Sequence, residues 1–458
     1  MSVHKENLPI IIIGAGLSGT LLATRMAQRG YDVILIEKRP DMRKVDISAG
    51  RSINLALSDR GLKALRLIGL EQEILDLTIP MYGRRIHDKQ GNTTLQSYSG
   101  RANHFIRSVS RQDLNIRLLN AAEQSGKVKI LFESPCIHVD LQAGIVHYRD
   151  RGGNTKKIAG QAIFGADGAG SALRNSMMRH SGSLRFSFSQ KFLKHGYKEL
   201  TFPAWKGGQH CMDKNALHIW PKGGYMLIAL PNLDGSFTVT LFLPFEGENS
   251  FEQLQSPQQV IAFFKKEFPD ALEHMPNLSK EFFEHPTGAL ATIKCFPWQT
   301  HGKTLLLGDA AHAVVPFYGQ GMNASFEDVT ILDELMGTSF DEDWLKLFKQ
   351  YESIRKRDAD AIGDMAEENY YEMRDKVQDT TFVIKRKLDL ALEQTFEDYH
   401  SKYALVTFQE DIPYHLAMQK GHCQDDYLMQ FSSNLNEEFA DKINLKILKL
   451  QLDKKCPS

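Results

Sequence analysis

Cysteine is scarce in this chain: five in 458 residues, at positions 136, 211, 295, 423 and 456. No two share a CxxC spacing, which argues against a metal knuckle or a disulfide framework, and an odd, dispersed set suits a reducing cytosol. Charge of one sign is missing as well. Lys and Arg number 55 against 56 Asp and Glu, a net charge of −1, so no strong field favours nucleic acid. No apolar run reaches the roughly 18 residues a membrane span requires. The N-terminus has no signal-peptide pattern, because the apolar stretch from Ile10 begins a strand. Internal repeats and low-complexity linkers are also absent. The length predicts about two to three domains.

What is present starts at that first strand. Ile10-Ile11-Ile12-Ile13 leads into Gly14-Ala15-Gly16-Leu17-Ser18-Gly19, and a helix follows with Leu17, Leu21, Leu22 and Met26 on one side. Gly30 ends that helix, and a second strand, Tyr31 to Ile36, delivers Glu37. In such a fingerprint Gly14 makes the tight turn, Gly16 admits a pyrophosphate to the backbone, and Gly19 lets helix and strand pack closely. Glu37 stands 23 residues beyond Gly14, where an acid binds ribose hydroxyls. A lone GxGxxG is weak. Strand, glycines, helix, strand and acid in order are specific.

Two further corners lie far downstream. Leu305-Leu306-Leu307-Gly308-Asp309 runs from an apolar strand into a Gly- and Pro-rich turn and a helix beginning near Gly321. Asp309 there can accept hydrogen bonds from sugar hydroxyls, while Gly319 and Gly321 let backbone approach a flat ring or a phosphate. Phe164 to Arg174, with Asp167-Gly168, makes another such corner. Between the fingerprint and the Asp167 corner, residues 107–125 are predicted as a helix, with 128–132 and 145–148 as strands. Tyr225 to Pro244 reads as two strands around the turn Asn232-Leu233-Asp234-Gly235. Beyond about 335 the chain turns helical and charged.

The three corners together resemble the group A flavoprotein aromatic monooxygenases, and no second complete fingerprint for a nicotinamide domain occurs. The resemblance implies an α/β architecture: a Rossmann-type FAD-binding fold with an inserted β-rich substrate domain and a helical C-terminal region. The expected division is 1–75, 105–185 and 290–335 for a discontinuous FAD-binding domain, 76–104 and 186–289 for the substrate domain, and 336–458 for the helical region. FAD would be held non-covalently by Gly14, Gly16, Leu17 and Gly19, and by Glu37, Lys38 and Arg39. Ala56, Arg111 and Asp167 would add contacts, as would Asp309, Gly321, Met322 and Asn323. NADPH would be a co-substrate.

Several segments narrow the resemblance. Gly50 to Gly61 (GRSINLALSDRG), His195 to Leu200 (HGYKEL), Asn215 to Pro221 (NALHIWP), Pro316 to Asn323 (PFYGQGMN) and Glu368 to Met373 (ENYYEM) are similar to those of the kynurenine 3-monooxygenases. The likeness runs over nearly the whole chain and is weakest beyond about residue 410. One departure stands out: Tyr318 follows Phe317 where family members carry His or Phe. The family implies L-kynurenine as substrate, with Arg84 pairing its carboxylate, bidentately where geometry allows. Arg85 is next door and is the alternative partner. Tyr98 would add a hydroxyl donor, and Asn369 and Tyr403 further polar contacts. Met226, Ile228 and Leu230 share one strand face, with Phe242 on the returning strand. Those four, with Leu217, Pro316, Phe317, Tyr318 and Met373, correspond to family contacts with the ring.

The implied reaction belongs to tryptophan catabolism by the kynurenine pathway. NADPH reduces FAD, O2 adds to it, and a flavin hydroperoxide hydroxylates the carbon beside the amino group to give 3-hydroxykynurenine. The cofactor carries that chemistry, so no side chain is assigned a catalytic role, and His312 reads as structural beside the flavin loop. Two other readings stay open: another FAD-dependent aromatic hydroxylase or epoxidase of this fold, or a non-catalytic FAD-fold binding protein. Lys446 and Lys449 interrupt the C-terminal segment, which predicts an amphipathic element packed on the protein's own surface. A soluble, cytoplasmic enzyme of bacterial origin is expected.

Overall fold

A computed structural model describes residues 8–45, 54–373, 379–435 and 442–456. Gly50 to Ile53, the start of one of the similar segments, lie outside the described residues. Ile10–Ile13 is β-branched throughout and wholly buried, as suits the centre of a sheet covered on both faces. It pairs in parallel with Val33–Ile36 on one side and Ala162–Gly165 on the other. Val128–Leu131 and Thr304–Leu306 extend the parallel sheet outward, and Gln299–Thr300 closes it antiparallel. The second strand thus begins at Val33 rather than Tyr31. This sheet gathers segments from three distant stretches of chain, and its strands Ile10–Ile13, Ala162–Gly165 and Thr304–Leu306 run into the three corners.

A seven-stranded sheet draws on residues 83–97 and 187–296 in the order Thr287–Phe296, Ser187–Phe202, Phe237–Pro244, Met226–Pro231, Ala216–Pro221, Gly83–His87, Thr93–Ser97. Asn232 to Gly235 closes the hairpin, with the Asn232 N–H bonded to the Ser236 carbonyl. One face of this sheet buries Leu227, Ala229, Val239 and Leu241 against helices Pro257–Glu267 and Leu278–Glu284, helices within a stretch that reads as β-rich in sequence. The other face turns Met226 and Phe242 toward Phe317, Met365 and Tyr370 of the helical side.

Residues 107–110 are not helical. Ile106–Ser110 is a strand between Asn54–Leu57 and Thr78–Met81. The helix starts at Arg111 because the Ser110 hydroxyl caps it, accepting from the Asp113 N–H. A Ser-x-x-Asp cap on the edge of an apolar pattern carries the boundary that periodicity alone misplaces.

Helices Trp344–Tyr371, Thr380–Thr395, Lys402–Thr407, Tyr414–Ser432 and Leu445–Lys455 build the C-terminal region. The last packs Leu448 and Leu452 against Ile384, Leu388 and Leu428, on the protein's own surface. It also overturns the expectation that the cysteines stay apart: Cys423 and Cys456 form a disulfide with Cα atoms 5.8 Å apart. Their separation of 33 residues carries no spacing signal; helix packing alone makes them neighbours. No helix among the described residues is long and apolar enough to cross a membrane.

Candidate active site

The three corners meet at one cavity of about 1090 Å³. Gly14, at φ +101°, turns the chain out of the first strand; a Cβ there would lie 2.5 Å from the Ala166 carbonyl oxygen. A Cβ on Gly19 would come within 2.0 Å of the Gly14 carbonyl oxygen, so Gly19 acts from behind the cavity, not on its wall. Gly16 is different: nothing lies within 4 Å of where its Cβ would be, and it lines the cavity. That open space beside the helix start is where a pyrophosphate has room to reach backbone N–H groups.

Glu37 accepts hydrogen bonds from the Ala15 N–H at 2.9 Å and from Arg39 Nε at 2.8 Å. Burial opposes its charge, but the Arg39 side chain and these N–H donors outweigh it and hold the carboxyl below its ordinary value. Lys38 and Arg39 share the wall with it. Asp167 accepts the Ala172 N–H at 2.6 Å through one oxygen, while the other, buried, has no partner. Asp309 projects into the cavity, and the protein around it pushes its carboxyl up by desolvation, partly offset by Arg111. Ala56, Leu17, Gly321 and Met322 complete this wall. An acid for ribose hydroxyls, an open Gly at a helix start, an unsatisfied Asp167 oxygen and a second acid make a set that fits FAD. Asn323 stands behind the wall, donating to the Ala56 and Gly319 carbonyls and accepting the Ser58 N–H.

The same cavity continues onto the seven-stranded sheet. Met226 faces Phe242, Ile228 faces Thr240 and Leu230 faces Thr238 across the hairpin, and all six line the cavity. Thr238 and Thr240 are additions to the sequence reading, although the alternation that points to Phe242 reaches both. Leu217, Pro316, Phe317, Tyr318, Met373 and Tyr403 also line it. Tyr197 comes from the long strand opposite Phe242; Gln190 and Phe192, on the same strand, carried no sequence signal.

Arg84 sits on the cavity side of its strand, with its guanidinium carbon 4.7 Å from the Tyr403 ring centre and 5.5 Å from that of Tyr98. Its Nε is buried without a hydrogen-bond partner, and it has no ion pair among the described residues. Arg85, one residue on, turns to the other face and pairs with Asp213 at 2.7 Å. Behind it His87 bridges Asp270 and His218 at 2.8 and 2.9 Å, pinning the strand. Tyr98 and Asn369 do not line the cavity. Tyr98 is buried, stacked at 5.5 Å on Tyr403, its hydroxyl without a partner. Asn369 donates to the Phe317 carbonyl at 2.7 Å and so braces the Pro316–Tyr318 turn.

His312 lies behind the Asp309 corner. Its Nε2 is 2.6 Å from Asp328, which also accepts the Gly308 N–H at 2.8 Å and pairs with Arg355 at 2.8 Å. Gly308 has φ +57°, so this carboxylate fixes a backbone turn that favours glycine. No metal-binding group of His, Cys, Asp or Glu occurs among the described residues.

With this geometry in view, the comparisons with known proteins are specific. The FAD binding domain family matches residues 7–366. A kynurenine 3-monooxygenase of Myxococcus xanthus is 46% identical over 439 residues, 95% of this chain and 93% of the relative. One from Dictyostelium discoideum is 44% identical over 461 residues, 98% of each. Among solved structures, 2-methyl-3-hydroxypyridine-5-carboxylic acid oxygenase superposes with a TM-score of 0.64 at 21% identity, over 84% of this chain and 98% of that one. PqsL of P. aeruginosa, in complex with 2-aminobenzoylacetate, gives 0.62 at 17% identity over 81% and 97%. At such identities the structures share a fold.

Proposed function

The chain belongs to the kynurenine 3-monooxygenase family, and on that premise we propose that it uses FAD, NADPH and O2 to hydroxylate L-kynurenine to 3-hydroxykynurenine. The observation that carries the reading is the single cavity: a dinucleotide cradle opens onto an apolar slot that also holds a guanidinium with no ion pair among the described residues. The cradle belongs to 1–75, 105–185 and 290–335, the slot to 76–104 and 186–289, and 336–458 closes it.

When bound, FAD supplies the oxygen chemistry, reduced by NADPH. The chain's own residues bind and orient. Glu37 and Asp309 accept hydrogen bonds from cofactor hydroxyls, and the helix start at Gly16 receives the pyrophosphate. Arg84 neutralises the substrate carboxylate beside Tyr403, with Tyr98 stacked behind. Met226, Ile228, Leu230, Phe242 and Phe317 take the aromatic ring and exclude water, which would otherwise divert the activated oxygen. The amino group of kynurenine already enriches its neighbouring carbon in electrons, so no protein nucleophile or base is required. His312 holds the Gly308–Asp309 turn and moves no proton. The proposed location is soluble, supported by the packing of the C-terminal helix onto its own bundle; the Cys423–Cys456 disulfide runs against the reducing cytosol that the dispersed cysteines suggest.

The test is NADPH oxidation by the FAD-loaded protein across a panel of arenes. Kynurenine should accelerate it and gain one oxygen beside its amino group. A phenol or an alkene that does so while kynurenine does not would overturn the reading.

A further inference from the structure

Tyr403 belongs to a six-residue helix, Lys402–Thr407, far in sequence from the sheet it faces. Something must hold it there. It stacks between Tyr98 and Tyr318, each ring centre 5.5 Å away and nearly parallel, with Arg84 over its face. Arg60 donates to the Leu405 and Val406 carbonyls at the far end of this helix, and Glu393 accepts the Ser401 N–H at its start, which leaves the Tyr403 side itself to be fixed.

The preceding residue supplies the anchor. Lys402 Nζ lies 2.7 Å from Asp425 on helix Tyr414–Ser432 and 3.7 Å from Glu372 at the end of the long helix. Asp425 also receives Lys385, which is 2.8 Å from Asp389. Lys402, Lys385 and Asp425 are all largely shielded from solvent, where an ion pair with one partner removed is costly. The Lys402 stem has a bed of its own: a Cβ on Gly421 would lie 2.5 Å from its Cγ and 2.7 Å from its Cβ. Gly421 sits mid-helix without a left-handed φ, where glycine is less favourable than alanine. The space that glycine leaves is filled by Lys402. Both members of the Lys402–Glu372 pair lead back to the cavity, since Glu372 precedes Met373 as Lys402 precedes Tyr403, and Met373 and Tyr403 line it.

We propose that Lys402 is a positioning residue for substrate binding: lying over Gly421 and paired with Asp425 and Glu372, it sets Tyr403 against Arg84 and thereby the affinity for a carboxylate-bearing substrate. The inference rests on the reading of Arg84 as the carboxylate partner.

The experiment compares two ligands on FAD-loaded protein, kynurenine and 2-aminoacetophenone, which keeps the aminophenyl ketone but lacks the carboxylate. Affinities are read from the flavin absorbance change. Lys402→Met should weaken kynurenine about tenfold while changing the ketone less than about twofold, and Lys402→Arg should recover most of the loss. Gly421→Ala keeps every charge and presses on the Lys402 stem and its Cα, 3.1 Å from the added Cβ, so it should produce the same selective loss even if Lys402→Met folds poorly. The double variant should be no weaker than the weaker single one. A fall in melting temperature with kynurenine affinity intact, or equal losses for both ligands, would make Lys402 purely structural and overturn the proposal. Arg84→Ala separates the two levels. If it discriminates the ligands and the Lys402 and Gly421 variants do not, the positioning role fails alone. If it does not, the carboxylate reading fails and takes this inference with it.

Discussion

Arg84 and Arg85 adjoin in sequence, yet strand alternation gives them different environments: one faces the cavity with no ion pair among the described residues, the other is tied to Asp213. Arg84→Ala should therefore raise the apparent KM for kynurenine about tenfold to a hundredfold, since a charge-assisted hydrogen bond is worth on the order of 1.5–3 kcal/mol, with FAD content unchanged. Arg85→Ala should leave KM nearly untouched, as steady-state kinetics would show; the reverse pattern would shift the carboxylate site by one residue. Tyr98→Phe removes a buried hydroxyl that has no partner and stands behind the cavity wall, so stability should not fall and kynurenine affinity should change less than about twofold, in contrast to Arg84→Ala. Resemblance to a family pointed to both residues, of which Arg84 lines the cavity and Tyr98 does not. Whether an Arg on a strand points inward was not legible, because a sequence of alternating faces does not say which face is covered. Gly19 was legible outright: its glycine is demanded by the Gly14 carbonyl one turn away, a contact within the fingerprint itself.

At the scale of elements, the corners read well from sequence because each is local, an apolar strand followed within a few residues by Gly and Asp. The Asp328 network behind one of them is not local. From its own helix it joins Gly308 and His312 of one corner to Arg355 of helix Trp344–Tyr371. Burial opposes the Asp328 charge, but His312 and Arg355 outweigh it and hold the carboxyl at about 2. An unfolded Asp titrates near 3.9, so between about pH 4 and pH 2 the unfolded chain binds a proton that the folded one refuses. Stability should fall with pH across that window, by about 2 to 3 kcal/mol from this group. In thermal melts Asp328→Asn should start lower, having removed one of the Arg355 ion pairs and the partner of His312, and should descend less steeply from pH 4 to 2. The link between helices Tyr414–Ser432 and Leu445–Lys455 is equally invisible in sequence. Thiol titration in denaturant should find three reactive cysteines without reductant, Cys136, Cys211 and Cys295, and five with it. Closing a loop of 33 residues is worth about 3 to 4 kcal/mol in the chain-entropy account, so reduction should loosen the C-terminal helix to limited proteolysis. Five thiols without reductant would remove the crosslink.

For the whole molecule, the purified protein should be yellow and should release FAD, not FMN, on heat denaturation, because the cysteine on the cavity wall, Cys136, has its thiol pushed up to about 12 by burial; flavin remaining on the denatured chain would contradict this. Full-length protein should stay in the supernatant when cell membranes are sedimented without detergent, and recovery with the membranes would count against the proposed location. The amino-acid sequence determined the class of the molecule: an Ile-rich strand, its glycines and Glu37 specify a dinucleotide site through contacts spanning a few residues, and the hairpin Met226 to Pro244 specifies an apolar face by alternation. Only the tertiary structure decided that these share one cavity, that Arg84 enters it while Tyr98 and Asn369 stand behind its wall, and that Lys402 and Gly421 hold Tyr403 in place. The reason is physical. Propensity and periodicity act over one or two turns of chain, whereas a cavity is what remains between surfaces brought together from residues 84, 226, 317 and 403, and its shape depends on how those elements pack rather than on any one of them.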